Sequence, residues 1–216
     1  ARGGGTGRDE TDSGRGWETG GLERVRRATP WEWHVPVGVA AMENDKHAAT
    51  EVPAAYTTDD CWKLVEYAEK HDKHCVMMEN CNYDRPEMMV FHMARLGILG
   101  DILHAECGYL HDLREIKFSD EGEGLWRRAH AMVRNANLYP THGLGPVANV
   151  MDINRGDQFE YLVSMSSPSQ GLQEWGMEHY PEGHPKRSER YVLGDVNTTM
   201  IKTVRGKTIY VSHDTN

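Results

Sequence analysis

The chain has 216 residues, 38% of them hydrophobic, with 24 Lys plus Arg against 33 Asp plus Glu. That is enough to bury a core, in one large domain or two small ones. The net charge of -9, with no basic block, speaks against nucleic acid or an anionic membrane as a partner. No run approaches the roughly 20 apolar residues of a membrane span, and no apolar segment of a signal peptide opens the chain.

Residues 1–27 are rich in Gly and charge without apolar periodicity, and read as an atypical, disordered lead-in. A phosphate-binding glycine turn needs a strand before it and a helix after it; Gly3, Gly4 and Gly5 follow no strand. From residue 34 the texture alternates. Val35, Val39 and Met42 predict a helix over 34–44, with Pro36 in its first turn. Residues 46–52 predict a strand ended by Pro53. Thr57, Thr58, Asp59 and Asp60 open a helix that Trp62, Val65, Ala68 and Glu69 carry to Asp72. Residues 74–79 predict a buried strand. Arg85, Pro86 and Glu87 open a helix to Leu96, stopped by Gly97. Alternating strands and helices imply parallel crossovers, so residues 28–83 read as a partial Rossmann-like dinucleotide-binding domain.

Beyond Gly100 the pattern changes. A strand is predicted over 102–110, a polar loop through 121–124, a helix over 142–154 and a strand over 159–166. Residues 167–190 read as loop-rich. Residues 196–204 and 207–212 form a predicted hairpin turning at Arg205 and Gly206, so these strands pair antiparallel. Residues 84–216 thus read as an α+β catalytic domain with a mixed or antiparallel sheet, and the fold class is α/β.

The four cysteines, Cys61, Cys75, Cys81 and Cys107, form no C-x-x-C pair, and read as buried or reduced thiols. The strongest chemical signal is Tyr139-Pro140-Thr141-His142-Gly143-Leu144-Gly145, a phenol and an imidazole held at a turn. An imidazole is usable as a base near neutrality, whereas a phenol needs a nearby cation or cofactor charge. Gly143 and Gly145 allow close backbone approach. Trp31, Glu32, Trp33 and His34 follow Pro30 in a loop of the kind that binds ligands at the carboxyl end of an open sheet. Glu51 and Val52 end a predicted strand, where a carboxylate can accept from a ribose. Asn80 and Tyr83 follow the next strand. Tyr109 and His111 share a strand face, with His104 and Glu106 on another; their spacing specifies no metal. Arg127 can offer a guanidinium to an anion or carbonyl. Each position also has a structural reading: the tryptophans as packing residues, Glu51 as a surface strand end, Asn80 as a turn former, Arg127 as an exposed charge, His142 as a helix start.

These residues lie in strings that closely resemble glycoside hydrolase family 109, within the Gfo/Idh/MocA oxidoreductase-like superfamily. The strings are ATPWEWHVPV, HAATEVPAAYTTDDCWKLVE, MMENCNY, HAECGYLHDLR, WRRAH, NLYPTHGLGPV, MDINRGD and VSMSSPS, in order from residue 28. The resemblance implies a tightly bound NAD held by Trp31, Glu32, Trp33, His34, Glu51, Val52 and Asn80. It implies substrate contacts from Tyr109, Arg127, Tyr139 and His142, with His142 and Tyr139 as proton-transfer residues and no metal. The implied activity is hydrolysis of terminal α-N-acetylgalactosamine from glycans. NAD takes a hydride from sugar C3, a base removes the acidified C2 proton, the glycosidic oxygen leaves, water adds, and the hydride returns.

The family's N-terminal strand, glycine turn and ribose-binding acid are not recognisable in 1–27, and relatives continue past residue 216, so truncation at both ends is expected. Related dehydrogenases carry Lys between the Glu and Pro of the strand-end motif, where this chain has Val52. The rival readings are an NAD(P)-dependent sugar oxidoreductase and a non-catalytic fragment. The expected partner is a small-molecule or glycan substrate, with homo-oligomerisation open. Family relatives suggest periplasmic or secreted placement.

Overall fold

A computed structural model describes residues 24–27 and 29–216. The lead-in assigned to 1–27 therefore lies outside the described residues except for its last four. Those four form strand β1 (Arg24–Arg27). An arginine-rich tetrapeptide shows no period-two signal, and only its parallel neighbour makes it a strand.

The chain divides into two compact units, residues 1–78 and 79–216. In the first, β1 is followed by a 3-10 turn (Trp31–Trp33), helix α1 (His34–Glu43), strand β2 (His47–Thr50), helix α2 (Thr58–His71) and strand β3 (Cys75–Met77). The three strands form one sheet in the order β1-β2-β3, parallel throughout. Parallel neighbours require a crossover, and α1 and α2 supply it.

Val35, Val39, Ala41 and Met42 of α1 build the core with Ala48 of β2 and Leu64 of α2. Gly38 faces α2, where a Cβ would make an ordinary contact with Leu64 Cδ2 at 3.4 Å. Helix α2 starts where Thr57 Oγ1 accepts the Asp60 N–H at 3.1 Å, and it carries Asp59 and Asp60 in its first turn, Lys70 and His71 in its last. That distribution suits both the orphan N–H groups and the helix dipole. Its buried stripe is Leu64, Tyr67 and Ala68, while Trp62 and Val65 are exposed. The spacing fits either stripe, and packing chooses. Strand β3 is not buried on both faces as expected: Cys75 packs on the core and Val76 points the other way.

The second unit opens with a 3-10 turn (Asn80–Tyr83) and helix α3 (Arg85–Arg95), then strand β4 (His104–Leu110). Helices α4 (Arg114–Phe118), α5 (Gly124–Val133) and α6 (Thr141–Val150) follow, then strand β5 (Phe159–Ser166), helix α7 (Gly171–His179) and strands β6 (Val196–Thr203) and β7 (Thr208–Asp214). The sheet order is β4-β7-β6-β5; β4 and β7 are parallel and the other pairs antiparallel. The fold is thus α/β with one parallel and one mixed sheet, as the sequence predicts. The β6–β7 hairpin turns through Gly206 at φ 86°, a backbone state that glycine adopts without strain.

Ile201, Ile209 and Val211 of the sheet bury against Met151 and Ile153, with Leu144, Val147 and Ala148 of α6 packed on them. A second cluster joins Phe118, Ala131, Leu172, Tyr191 and Leu193. Helix α7 falls in a stretch expected to be loop. Its cap is remote: Asp195 Oδ1 accepts from Gln170 N at 3.0 Å and Gly171 N at 3.1 Å. Among the described residues no helix is long and apolar enough to cross a membrane.

Candidate active site

The site is built where α6 begins on top of β4. Along β4 exposure alternates, so that Ala105, Cys107 and Tyr109 share the half-buried face. Helix α6 can lie close there only because Gly143 has no side chain: a Cβ would stand 2.7 Å from Gly108 N and 2.9 Å from Cys107 Cβ. Pro140, just before the helix, brings Tyr139 to the same place.

The rings of Tyr109 and His142 are 5.5 Å apart, those of Tyr139 and His142 4.6 Å, and those of Tyr109 and Tyr139 4.8 Å. From α5, the Arg127 guanidinium lies 5.2 Å from the Tyr139 ring, and its Nε donates to Glu123 Oε2 at 2.5 Å one turn back. Tyr109, Arg127, Tyr139 and His142, all singled out from the sequence, therefore meet in the second unit.

Sequence reasoning missed the residue behind the histidine. Glu79 is 2% exposed, and its Oε1 lies 2.6 Å from His142 Nδ1. The same oxygen accepts the Cys81 N–H at 3.1 Å, which fixes it at the start of the 3-10 turn. Burial pushes the Glu79 carboxyl up, but hydrogen bonds from His142 and Cys81 outweigh this and hold it below the ordinary 4.5. An ionised carboxylate can only accept. His142 Nδ1 therefore carries the proton, and Nε2 is left to exchange one with a ligand. Cys81 Sγ sits 3.4 Å from the same Nδ1. Burial, then the Glu79 charge, pushes its thiol up to about 11.

The phenols hold their protons. Burial drives Tyr139 up to about 12 against the pull of Arg127, and raises Tyr109 for the same reason. His213 stands opposite Tyr109 in the β4–β7 register, 6.2 Å away ring to ring. Burial and the Lys117 ammonium lower it to about 4, so it is neutral near pH 7. Among the described residues its Nδ1 has no hydrogen-bond partner. His111 joins the cluster with its ring 4.4 Å from Tyr109. A cavity of about 1180 Å³ is lined by Asn80, Cys81, Tyr109, His111 and His142.

The other positions predicted to hold the cofactor, Asn80 apart, lie in the first unit, while Tyr83, His104 and Glu106 belong to the second. Trp31, Glu32, Trp33 and His34 follow the carboxyl end of β1, and Glu51 and Val52 that of β2. Trp31 is buried, whereas the Trp33 indole is 51% exposed. The buried His34 ring stitches the two loops: Nδ1 lies 2.6 Å from Pro53 O and Nε2 2.8 Å from Thr29 O. None of the four cysteines forms a disulfide.

The model of glycosyl hydrolase 109, C-terminal domain, matches residues 83–216. A glycosyl hydrolase family 109 protein of Shewanella putrefaciens is 51% identical over 195 residues, covering 90% of this chain and 42% of that protein. The chain thus spans about two fifths of the length of the curated relatives it matches, at 42% of theirs. Among solved structures, an inositol dehydrogenase homolog complexed with NAD+ from Azotobacter vinelandii is similar with a TM-score of 0.65 at 17% identity, over 89% of this chain and 45% of that one. An aldose-aldose oxidoreductase from Caulobacter crescentus gives 0.64 at 15% identity, over 89% and 50%. At these identities the likeness is one of fold alone. The family match takes in Tyr109, Arg127, Tyr139, His142 and more than half of the sequence, and the chain belongs to glycosyl hydrolase family 109.

Proposed function

We propose that the chain is part of an NAD-dependent glycosidase that removes terminal α-N-acetylgalactosamine from glycans, its second unit holding the sugar. The observation that carries this reading is the 2.6 Å contact of Glu79 with His142 beside two phenols and the Arg127 guanidinium. Such a set moves protons and orients oxygens, which is the protein's share when a cofactor handles the hydride.

The described residues of the first unit fit a dinucleotide. Trp33 offers an open indole, Glu51 an acceptor at a strand's carboxyl end, and the His34 ring fixes the loops that bear them. Trp31, Glu32, Trp33, His34, Glu51 and Val52 would hold it. When bound, NAD supplies a hydride acceptor and donor. His142, its Nδ1 held by Glu79, presents Nε2 as acid or base at the sugar. Tyr139 keeps its proton at neutral pH and donates to a departing oxygen, and Arg127 with Tyr109 orients sugar hydroxyls.

A sugar oxidoreductase is the second reading, favoured by the dehydrogenase fold of the solved neighbours. Val52 weighs against it, because related dehydrogenases have a lysine there and valine offers no proton. With NAD and an aryl α-N-acetylgalactosaminide, the chain should release the phenol without net NADH. Sugar product formed in heavy water should carry deuterium at C2. Stoichiometric NADH from an intact glycoside would overturn the glycosidase in favour of the oxidoreductase.

A further inference from the structure

Behind the phenols, three metal-ligating side chains converge. Glu79, Cys81 and His142 each offer one ligand atom, and these atoms lie within 4.8 Å of one another. His142 Nδ1 is 2.6 Å from Glu79 Oε1 and 3.4 Å from Cys81 Sγ. Tetrahedral Zn²⁺ holds N and O at about 2.0–2.2 Å and S at about 2.3 Å, so ligand atoms around it stand roughly 3.3–3.7 Å apart. The nitrogen–sulfur distance already matches. The nitrogen–oxygen distance is that of a hydrogen bond and opens once the proton between them is gone.

Two observations mark the place as more than a chance grouping. Glu79 is 2% exposed, yet among the described residues its Oε2 accepts no well-formed hydrogen bond, the Thr141 hydroxyl beside it included. The ligands also sit on a stiff frame. A Cβ at Gly145 would come within 2.8 Å of Glu79 Cγ, so helix α6 presses on the Glu79 stem. Cys81 belongs to the 3-10 turn that Glu79 itself caps.

We infer that Glu79, Cys81 and His142 form a site for a borderline-soft divalent cation of the zinc class, with its fourth position open to the cavity that Cys81 and His142 line. A carboxylate, a thiolate and an imidazole select Zn²⁺, Co²⁺ or Cd²⁺ over Mg²⁺ and Ca²⁺, which prefer oxygen-only shells. The exchange balances as one cation in and one proton out, that of the thiol; the proton between Nδ1 and Oε1 passes to Nε2, so the imidazole stays neutral as Nδ1 takes the cation. No electron moves. The cation takes the nitrogen that Glu79 otherwise holds. The functional consequence rests on the glycosidase reading: zinc would silence His142 as a proton carrier, making the site inhibitory. Binding itself does not depend on that reading.

Titration of the purified, chelator-treated chain with Co²⁺ tests this. One equivalent should bind, with visible bands of tetrahedral cobalt and a near-ultraviolet thiolate charge-transfer band, both displaced by Zn²⁺ and untouched by excess Mg²⁺. Cys81→Ser should abolish the charge-transfer band. It should also weaken Zn²⁺ by about a hundredfold, since even outer-shell changes cost about 10–100-fold. Cys61→Ser and Cys107→Ser should change neither. A band that survives Cys81→Ser, or is lost with Cys61→Ser or Cys107→Ser, overturns the proposal, as does failure to bind a stoichiometric cation. If Cys81→Ser lowers the melting temperature, His142→Gln supplies the second arm: retained one-equivalent zinc binding there refutes the site. Glycoside cleavage that proceeds unchanged with the cation bound would refute the inhibitory consequence and leave the site standing.

Discussion

Glu79 and His142 stand 63 residues apart in the chain and 2.6 Å apart in the fold. The carboxylate sets which imidazole nitrogen carries the proton, and so which one faces a ligand. Glu79→Gln keeps the shape and the acceptor but removes the charge. Turnover should fall about tenfold to a hundredfold, because the imidazole loses the anionic partner that fixes its tautomer. Unchanged activity would show that His142 works without Glu79.

The same residue sets an acid limb in stability. Its carboxyl is held below the ordinary 4.5 in the folded chain. The contribution is therefore complete above the ordinary value and disappears as pH falls through the depressed folded value. Urea midpoints of the wild type should drop in that window, and those of Glu79→Gln should drop less. Parallel curves would refute the linkage.

At the alkaline end Tyr139 acts in the opposite sense. Burial raises its phenol from 10.0 to about 12. The folded chain keeps the proton where the unfolded chain loses it, so stability is full below pH 10 and falls toward pH 12. Tyr139→Phe should flatten this decline, and it should lower glycoside cleavage at neutral pH, where the phenol is a donor. A mutant as active as wild type would remove Tyr139 from proton transfer.

His34→Ala unpicks the loops of the first unit. The buried Pro53 O and the part-buried Thr29 O lose the ring that lies between them and donates to one of them. Denaturant titration followed by tryptophan fluorescence should show a loss of about 1–3 kcal/mol. NAD affinity should fall with it if these loops hold the dinucleotide; calorimetry of NAD binding at a temperature where the mutant is folded separates the two effects.

Gly145→Ala probes the frame of the dyad. The new methyl would meet Glu79 Cγ at 2.8 Å and Asn82 Oδ1 at 3.0 Å, so the carboxylate has to move. Overpacking of this kind costs about 1–3 kcal/mol. Activity should drop further than stability accounts for, and a fully active, equally stable variant would show that Glu79 has room to spare.

Turn punctuation made part of this site legible. Pro140, Gly143 and Gly145 mark the place where Tyr139 and His142 meet, and alternation along 102–110 put Tyr109 near the end of its strand. Glu79 was not legible, because nothing local distinguishes it from a glutamate at a strand end; its partner comes from a distant helix. The cap of α7 is hidden for the same reason, with Asp195 supplied from 24 residues downstream. Strand β1 lacks any apolar alternation, and α2 offers adjacent stripes between which spacing alone does not decide. What sequence periodicity reports is local, and each miss is settled by a partner remote in the chain.

Strand β4, which carries Cys107 and Tyr109, is paired only with β7 among the described strands, in a register that joins His104 to Thr208 across 104 residues. As the polypeptide emerges from the ribosome, β4 is complete long before its neighbour exists. Closing so long a loop is slow, and until it closes both ribbon edges of β4 stand open to the wrong strand. The cluster around Tyr109 and His142 therefore waits on a strand made late in the chain, and during that wait β4 is open to mispairing.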